Sequence, residues 1–128
     1  MIVFDTGALL ALERDDRTMW LRLREAVKTD IPVVVPVGAL SQAWRGGARQ
    51  ARLARAVSDL EPASFDEIAL AAGELCGKAG TADVIDASVA LVAARSEVTH
   101  LYTSDPEDLR RLVDAAGRKR RKPQIVPC

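Results

Sequence analysis

Residues 1–13 read MIVFDTGALLALE. Ile2 to Phe4 is a short β-prone run ending at Asp5, and Thr6-Gly7 then opens the apolar spacing Leu9, Leu10, Leu12 of a short helix. A strand that runs straight into a helix is the first half of a strand–helix–strand unit, and the rest of the chain repeats the alternation. From Asp16 to Lys28, Met19, Trp20, Leu23, Ala26 and Val27 recur at three and four, as on a helix buried along one stripe. Pro32 to Val35 reads as a second buried strand, and a helix from Val37 through Trp44 follows until Gly46-Gly47 breaks it. A further helix runs from about Ala48 to Val57. Leu60 to Ser64 contains Pro62 and reads as a short edge strand, and Phe65 to Lys78 as a helix that stops near Gly80. Asp83 to Arg95 is the clearest helix. Val98 to Thr103 is a strand, Pro106 to Ala115 a helix, and Gln124 to Val126 a last strand after the run Arg118-Lys119-Arg120-Arg121-Lys122. This order predicts an α/β fold whose central, mostly parallel sheet is flanked by helices on both faces.

With 128 residues and 48% hydrophobic content, residues 1–128 suffice for a single domain with one core. Charged residues make up 28% and cancel to a net charge of zero, so no whole-molecule field attracts nucleic acid or a membrane, and any pull on a polyanion must be local. Cys76 and Cys128 form neither a disulfide framework nor a spaced metal-binding set, which fits a reducing cytoplasm. The N-terminus has no basic lead and carries Asp5, so it reads poorly as a signal peptide, and no apolar run approaches the ~20 residues of a membrane span. A cytoplasmic protein without membrane attachment is expected.

In an open parallel sheet, ligands bind beyond the carboxyl ends of the strands. Asp5 follows the first strand, and Asp105 follows the strand ending at Thr103 through Ser104. Asp83 and Asp86, three residues apart, share one face near the start of a helix. Four acids from three segments, if they converge, raise one another's pKa unless a cation is present, and an all-oxygen set suits Mg²⁺ or Mn²⁺. Each acid also has an ordinary explanation. Asp105, before Pro106, Glu107 and Asp108, stands where a capping residue begins a helix, and Asp83 reads equally well as an N-cap. Asp5 ends a central strand, where a surface charge is uncommon, and Asp86 falls in the apolar stretch VIDASVA, where no capping role is expected.

The segments FDTGALLAL, ADVIDASVALVA and YTSDPEDLRRL, in this order and separation, resemble the three acidic motifs of PIN-domain proteins, in particular the bacterial VapC-type toxins. The resemblance runs from Met1 to the last strand. It implies a PIN-like three-layer fold, Mg²⁺- or Mn²⁺-dependent endoribonuclease activity, a homodimer, and inhibition by a small antitoxin protein. By match to the motifs, it makes Asp5, Asp86 and Asp105 metal-binding acids and Asp83 a fourth, with Thr6 and Ser104 where small hydroxyl residues support such a cluster. One position departs from the pattern. Where the family has glutamate in the helix after the second strand, this chain has Gln42, within ALSQAWR. An amide still offers an oxygen to a metal or its water, but it is not a base and attracts a second cation less.

Arg45, Arg49 and Arg52 form one basic stripe if the helix resumes quickly after Gly46-Gly47, and Arg118 to Lys122 is a second patch; both are candidate phosphate contacts, and both equally suit a solvated face or a protein partner. Trp20, Trp44, Phe4, Phe65 and Tyr102 are scattered, mostly at core-facing spacings, and make no base-stacking platform. The single histidine, His100, starts a strand and reads as a packed or edge residue, which argues against a metal-free histidine nuclease. The readings in competition with an RNA-cutting enzyme are a non-catalytic PIN-like module that binds RNA or a partner, a phosphoacceptor receiver-like domain, and a DNA nuclease. The receiver fold needs paired acids after its first strand and a lysine after its last; here Asp5 stands alone and Lys122 precedes the last strand.

Overall fold

In the computed structural model, which describes residues 1–117 and 121–128, five strands form one sheet in the order β3-β2-β1-β4-β5, with every neighbouring pair parallel. The strands are β1 (Ile2–Phe4), β2 (Val33–Pro36), β3 (Glu61–Ala63), β4 (His100–Thr103) and β5 (Gln124–Pro127). The helices are α1 (Thr6–Glu13), α2 (Arg17–Lys28), α3 (Val37–Ala43), α4 (Ala51–Val57), α5 (Ala69–Ala79), α6 (Val84–Ala93) and α7 (Pro106–Ala115). Two short 3-10 turns, Ala48–Gln50 and Asp66–Ile68, lead into α4 and α5. The expected α/β architecture, a parallel sheet flanked by helices as in a PIN-like three-layer fold, is therefore the observed one. Among the described residues no helix is long and apolar enough to cross a membrane.

The core follows from the strand composition. Val3 and Phe4 in β1, Val33 and Val35 in β2 and Leu101 in β4 are almost wholly buried, as strands covered on both faces require. Helices α5, α6 and α7 pack on one another, with α6 against β1 and β2 and α7 against β5, while α1 packs on α2, α3 and α4. Pro62 lies in β3, at the sheet edge, where its missing N–H costs no ladder bond. The predicted stripe of α2 is narrower than its sequence suggests. Met19, Leu23 and Ala26 are buried, Trp20 is half-buried, and Val27 faces solvent.

The connections are short because the residues in them turn the chain efficiently. Asp16 caps α2 by accepting from the Met19 amide at 2.9 Å. Gly80 ends α5 at φ +70°, a conformation that costs glycine little, and its own N–H closes on the Cys76 carbonyl. Strand order reverses at β1. The chain moves outward through β2 and β3 on one side, then returns to β4 and β5 on the other, and this reversal opens a crevice at the carboxyl ends of β1 and β4.

Candidate acidic site at the carboxyl ends of β1 and β4

Three helices begin at this crevice's edge of the sheet, and each brings one or two of the predicted acids with it. Asp5 is the residue between β1 and α1. Its N–H donates to the Tyr102 carbonyl of β4 at 3.2 Å, and its Oδ1 accepts from the Ala8 amide at 3.0 Å, so it is also the N-cap of α1. Only 6% of it is exposed. The sequence reading missed this capping role, which the pattern Asp-Thr-Gly-Ala before an apolar run carries. Burial pushes the Asp5 pKa up, with the charge of Asp105 adding to it, against opposing hydrogen bonding from the Thr103 hydroxyl and the Ala8 and Gly7 amides.

Asp83 caps α6, its Oδ1 accepting from the Asp86 amide at 3.0 Å, so the ordinary explanation holds for it. Asp86 occupies the third position of α6. As expected it caps nothing, the cap being Asp83, although the first turn, near the positive end of the helix dipole, is where acids are favoured. That dipole does not hold Asp86 ionised. Its pKa is raised to about 7, by desolvation first and then by Asp83, Asp5 and Asp105. Asp105 precedes Pro106 of α7 as its N-cap, without a well-formed side-chain capping hydrogen bond, although the Asp108 backbone amide acts on its carboxylate. Its pKa is raised too, by partial desolvation and by Asp108 and Glu107. The four predicted acids thus come within electrostatic reach of one another, from three segments.

The hydroxyl residues divide the support differently from the expectation. Thr103, wholly buried at the end of β4, accepts the Asp105 amide at 2.9 Å, and its hydroxyl also acts to lower the pKa of Asp5, so one residue bears on both arms of the crevice. The sequence reading passed over it. A threonine at the last strand position, two residues before Asp105, gives no signal of this role by itself. Ser104 instead packs on Gly7: a β-carbon at Gly7 would lie 2.5 Å from Ser104 Cβ. Thr6 donates to Gln42 Oε1 at 2.8 Å, which brings Gln42 of α3 beside the start of α1.

The candidate donors are all oxygen, from the carboxylates of Asp5, Asp83, Asp86 and Asp105, which is the set a hard divalent cation prefers. None of the four acids forms a salt bridge among the described residues. Oxygen donors without an ion-paired partner are the chemistry a hard divalent cation would need. They are not a closed cage: among the described residues no group of three or more His, Cys, Asp or Glu side chains is arranged to hold a metal ion as it stands.

The expected basic stripe is not continuous. Helix α3 ends at Ala43, and the Arg45 guanidinium turns back onto the Ser41 and Trp44 carbonyls at 3.2 and 2.7 Å, while Arg52 pairs with Asp15. Buried Gln50 organises this loop, accepting from the Arg45 and Gly46 amides at 2.7 and 2.9 Å and donating to the Ala43 carbonyl at 2.8 Å. Trp44 is not a core residue. It is 39% exposed and lines an apolar groove of about 270 Å³ with Leu40, Ser41 and Val57, away from the acids. In the second basic patch, Lys122 pairs with Asp114, and residues 118–120 lie outside the described residues. His100 is half-buried and stacks on Tyr102, in keeping with a packed role. Both cysteines are free; Cys76 is buried, and the Cys128 thiol is pushed up to about 11 by burial and by Asp5. Compared with known proteins, the chain matches no family model and no curated sequence.

Proposed function

We propose that this chain is a metal-dependent endoribonuclease of the PIN-domain, VapC-like type, the toxin of a type II toxin–antitoxin pair. The observation that carries the reading is that, beyond the effect of burial, the charge of Asp105 raises the pKa of both Asp5 and Asp86, acids from three helix starts at the strand-order reversal, with none of the three in a salt bridge among the described residues. Carboxylates held together against their own repulsion are the ordinary preparation for a divalent cation. Asp5, Asp86 and Asp105 would hold Mg²⁺ or Mn²⁺, directly or through its waters, with Asp83 orienting the outer shell. A cation bound there supplies an acidified water and a polarised phosphate oxygen for phosphodiester hydrolysis. The chain's own part is to keep the carboxylates in place, through the Ala8 amide and the Thr103 hydroxyl on Asp5 and the Thr103–Asp105 turn bond.

RNA as the substrate, a cognate antitoxin, a homodimer and a cytoplasmic location belong to the same proposal and rest on the motif resemblance. The test is cleavage of a mixed structured RNA with Mg²⁺, with Mn²⁺ and with EDTA, beside Asp86→Asn. Cutting that needs metal and is lost in the variant supports the enzyme; a folded chain that cuts with neither metal removes it.

A second reading has an observation of its own. The acids do not form a ready metal cage, and position 42 is neutral, which favours a PIN-like module that binds RNA or a partner without cutting. Saturable metal and RNA binding without cleavage is the result that selects it.

A further inference from the structure

The Thr6 hydroxyl has one proton and two oxygens in reach, Gln42 Oε1 at 2.8 Å and the Ala39 carbonyl at 3.3 Å. The shorter distance is the usual one for O–H···O, and the longer is stretched. The Ala39 carbonyl also faces the Ala43 amide within α3, as helix geometry requires. The proton therefore goes to Gln42 Oε1. In this arrangement the amide oxygen faces Thr6 and the nitrogen is left over. With its oxygen engaged by Thr6, Gln42 keeps both N–H donors of its exposed nitrogen without a protein acceptor among the described residues.

Thr6, which holds this amide, is the first residue of α1 and follows Asp5, its N-cap, directly in the chain. A neutral donor can approach an anionic oxygen without adding negative charge, and an oxygen already committed to Thr6 is a poor cation ligand. We propose that Gln42 binds substrate rather than metal: its N–H donates to a non-bridging oxygen of the phosphodiester, and Thr6 is the positioning residue that aims it. The proposal rests on the nuclease reading.

The experiment measures Mn²⁺ binding by calorimetry and steady-state RNA cleavage for the native chain, Gln42→Glu, Gln42→Ala and Thr6→Val. Gln42→Glu keeps the bond from Thr6 but replaces the donor with a charge. The expected result is a KM for RNA raised roughly tenfold or more, the size of one lost hydrogen bond to a charged oxygen, together with tighter Mn²⁺ binding. Gln42→Ala should raise KM and leave Mn²⁺ affinity unchanged. Thr6→Val should raise KM by about threefold or more, with the thermal midpoint little changed, because the amide loses its orientation but not its place. An unchanged KM in Gln42→Glu, or Mn²⁺ affinity lost in Gln42→Ala, overturns the proposal while native cleavage leaves the nuclease reading standing. No metal-dependent cleavage by the native chain overturns both.

Discussion

Gly7 and Ser104 stand back to back where α1 and the β4–α7 turn meet: a β-carbon on Gly7 would lie 2.2 Å from Ser104 Oγ and 2.9 Å from its backbone nitrogen. The backbone nitrogen cannot rotate away as a side chain does. Gly7→Ala must therefore push apart the two segments that carry Asp5 and Asp105. We expect a loss of about 1–3 kcal/mol of stability, the usual cost of overpacking. Denaturant unfolding measures it. Mn²⁺ affinity should fall as well, which an overpacked site remote from the acids would not cause.

The Thr103 hydroxyl serves Asp5 and the Asp105 amide at once. Thr103→Val keeps shape and removes the bond to the Asp105 amide together with the hydroxyl's influence on Asp5. Mn²⁺ binding should weaken by roughly 10–100-fold, the range for losing a group that orients metal ligands. Thr103→Ser should restore most of it. Equal Mn²⁺ affinity in the native and valine proteins would show that the hydroxyl supports the turn alone.

The raised pKa of Asp86 makes stability depend on pH. In the unfolded chain its carboxyl ionises near 3.8, and in the folded chain near 7. Between those values the folded state holds a proton that the unfolded state has lost, so this group's contribution declines as pH rises from about 4 to about 7 and is flat above. Asp5 and Asp105 shift in the same direction. In EDTA the thermal midpoint should be lower at pH 8 than at pH 5.5, and Asp86→Asn should shrink the difference. Mg²⁺ should recover stability at pH 8 more than at pH 5.5, because protons and cation compete for the same oxygens. A midpoint equal at both pH values in EDTA would contradict the burial and repulsion assigned to these carboxyls.

Gln50 makes three hydrogen bonds to the 43–46 loop and is almost wholly buried. Gln50→Ala leaves two amides and a carbonyl to find water. The expected cost is about 2–4 kcal/mol, summing the loss of buried partners. Amide hydrogen exchange should accelerate at Arg45 and Gly46. Mn²⁺ affinity should not change, since this loop supplies none of the acids.

Much of the fold was legible because short valine-rich strands and helix-start signals punctuate the chain: Ile2–Phe4 and the Pro106 start of α7 fall where the pattern places them, and the second strand, read as Pro32 to Val35, lies one residue on at Val33–Pro36. The elements that read less well are those set by tertiary contacts. Ala48–Val57 and Phe65–Lys78 read as single helices, yet each opens with a 3-10 turn, and the loop before the first is fixed by buried Gln50, a residue that no periodicity marks. The same holds within the site. Asp5, Asp83, Asp86 and Asp105 were visible from strand ends and spacing. The role of Thr103 was not, because a threonine ending a strand is unremarkable until the sheet brings it against Asp5. The arginine stripe failed because α3 stops at Ala43 and Arg45 bonds its own helix end.

The most direct test of the account is calorimetric titration of Mn²⁺ into the metal-free chain at pH 7.5 and pH 5.5, beside Asp5→Asn. Asparagine keeps the cap of α1 and removes the charge. The account predicts saturable binding at pH 7.5, weaker binding at pH 5.5, and none in Asp5→Asn with the cooperative unfolding transition retained. Native protein that unfolds cooperatively yet binds no Mn²⁺ at pH 7.5, or an Asp5→Asn variant that binds as the native chain does, would contradict it.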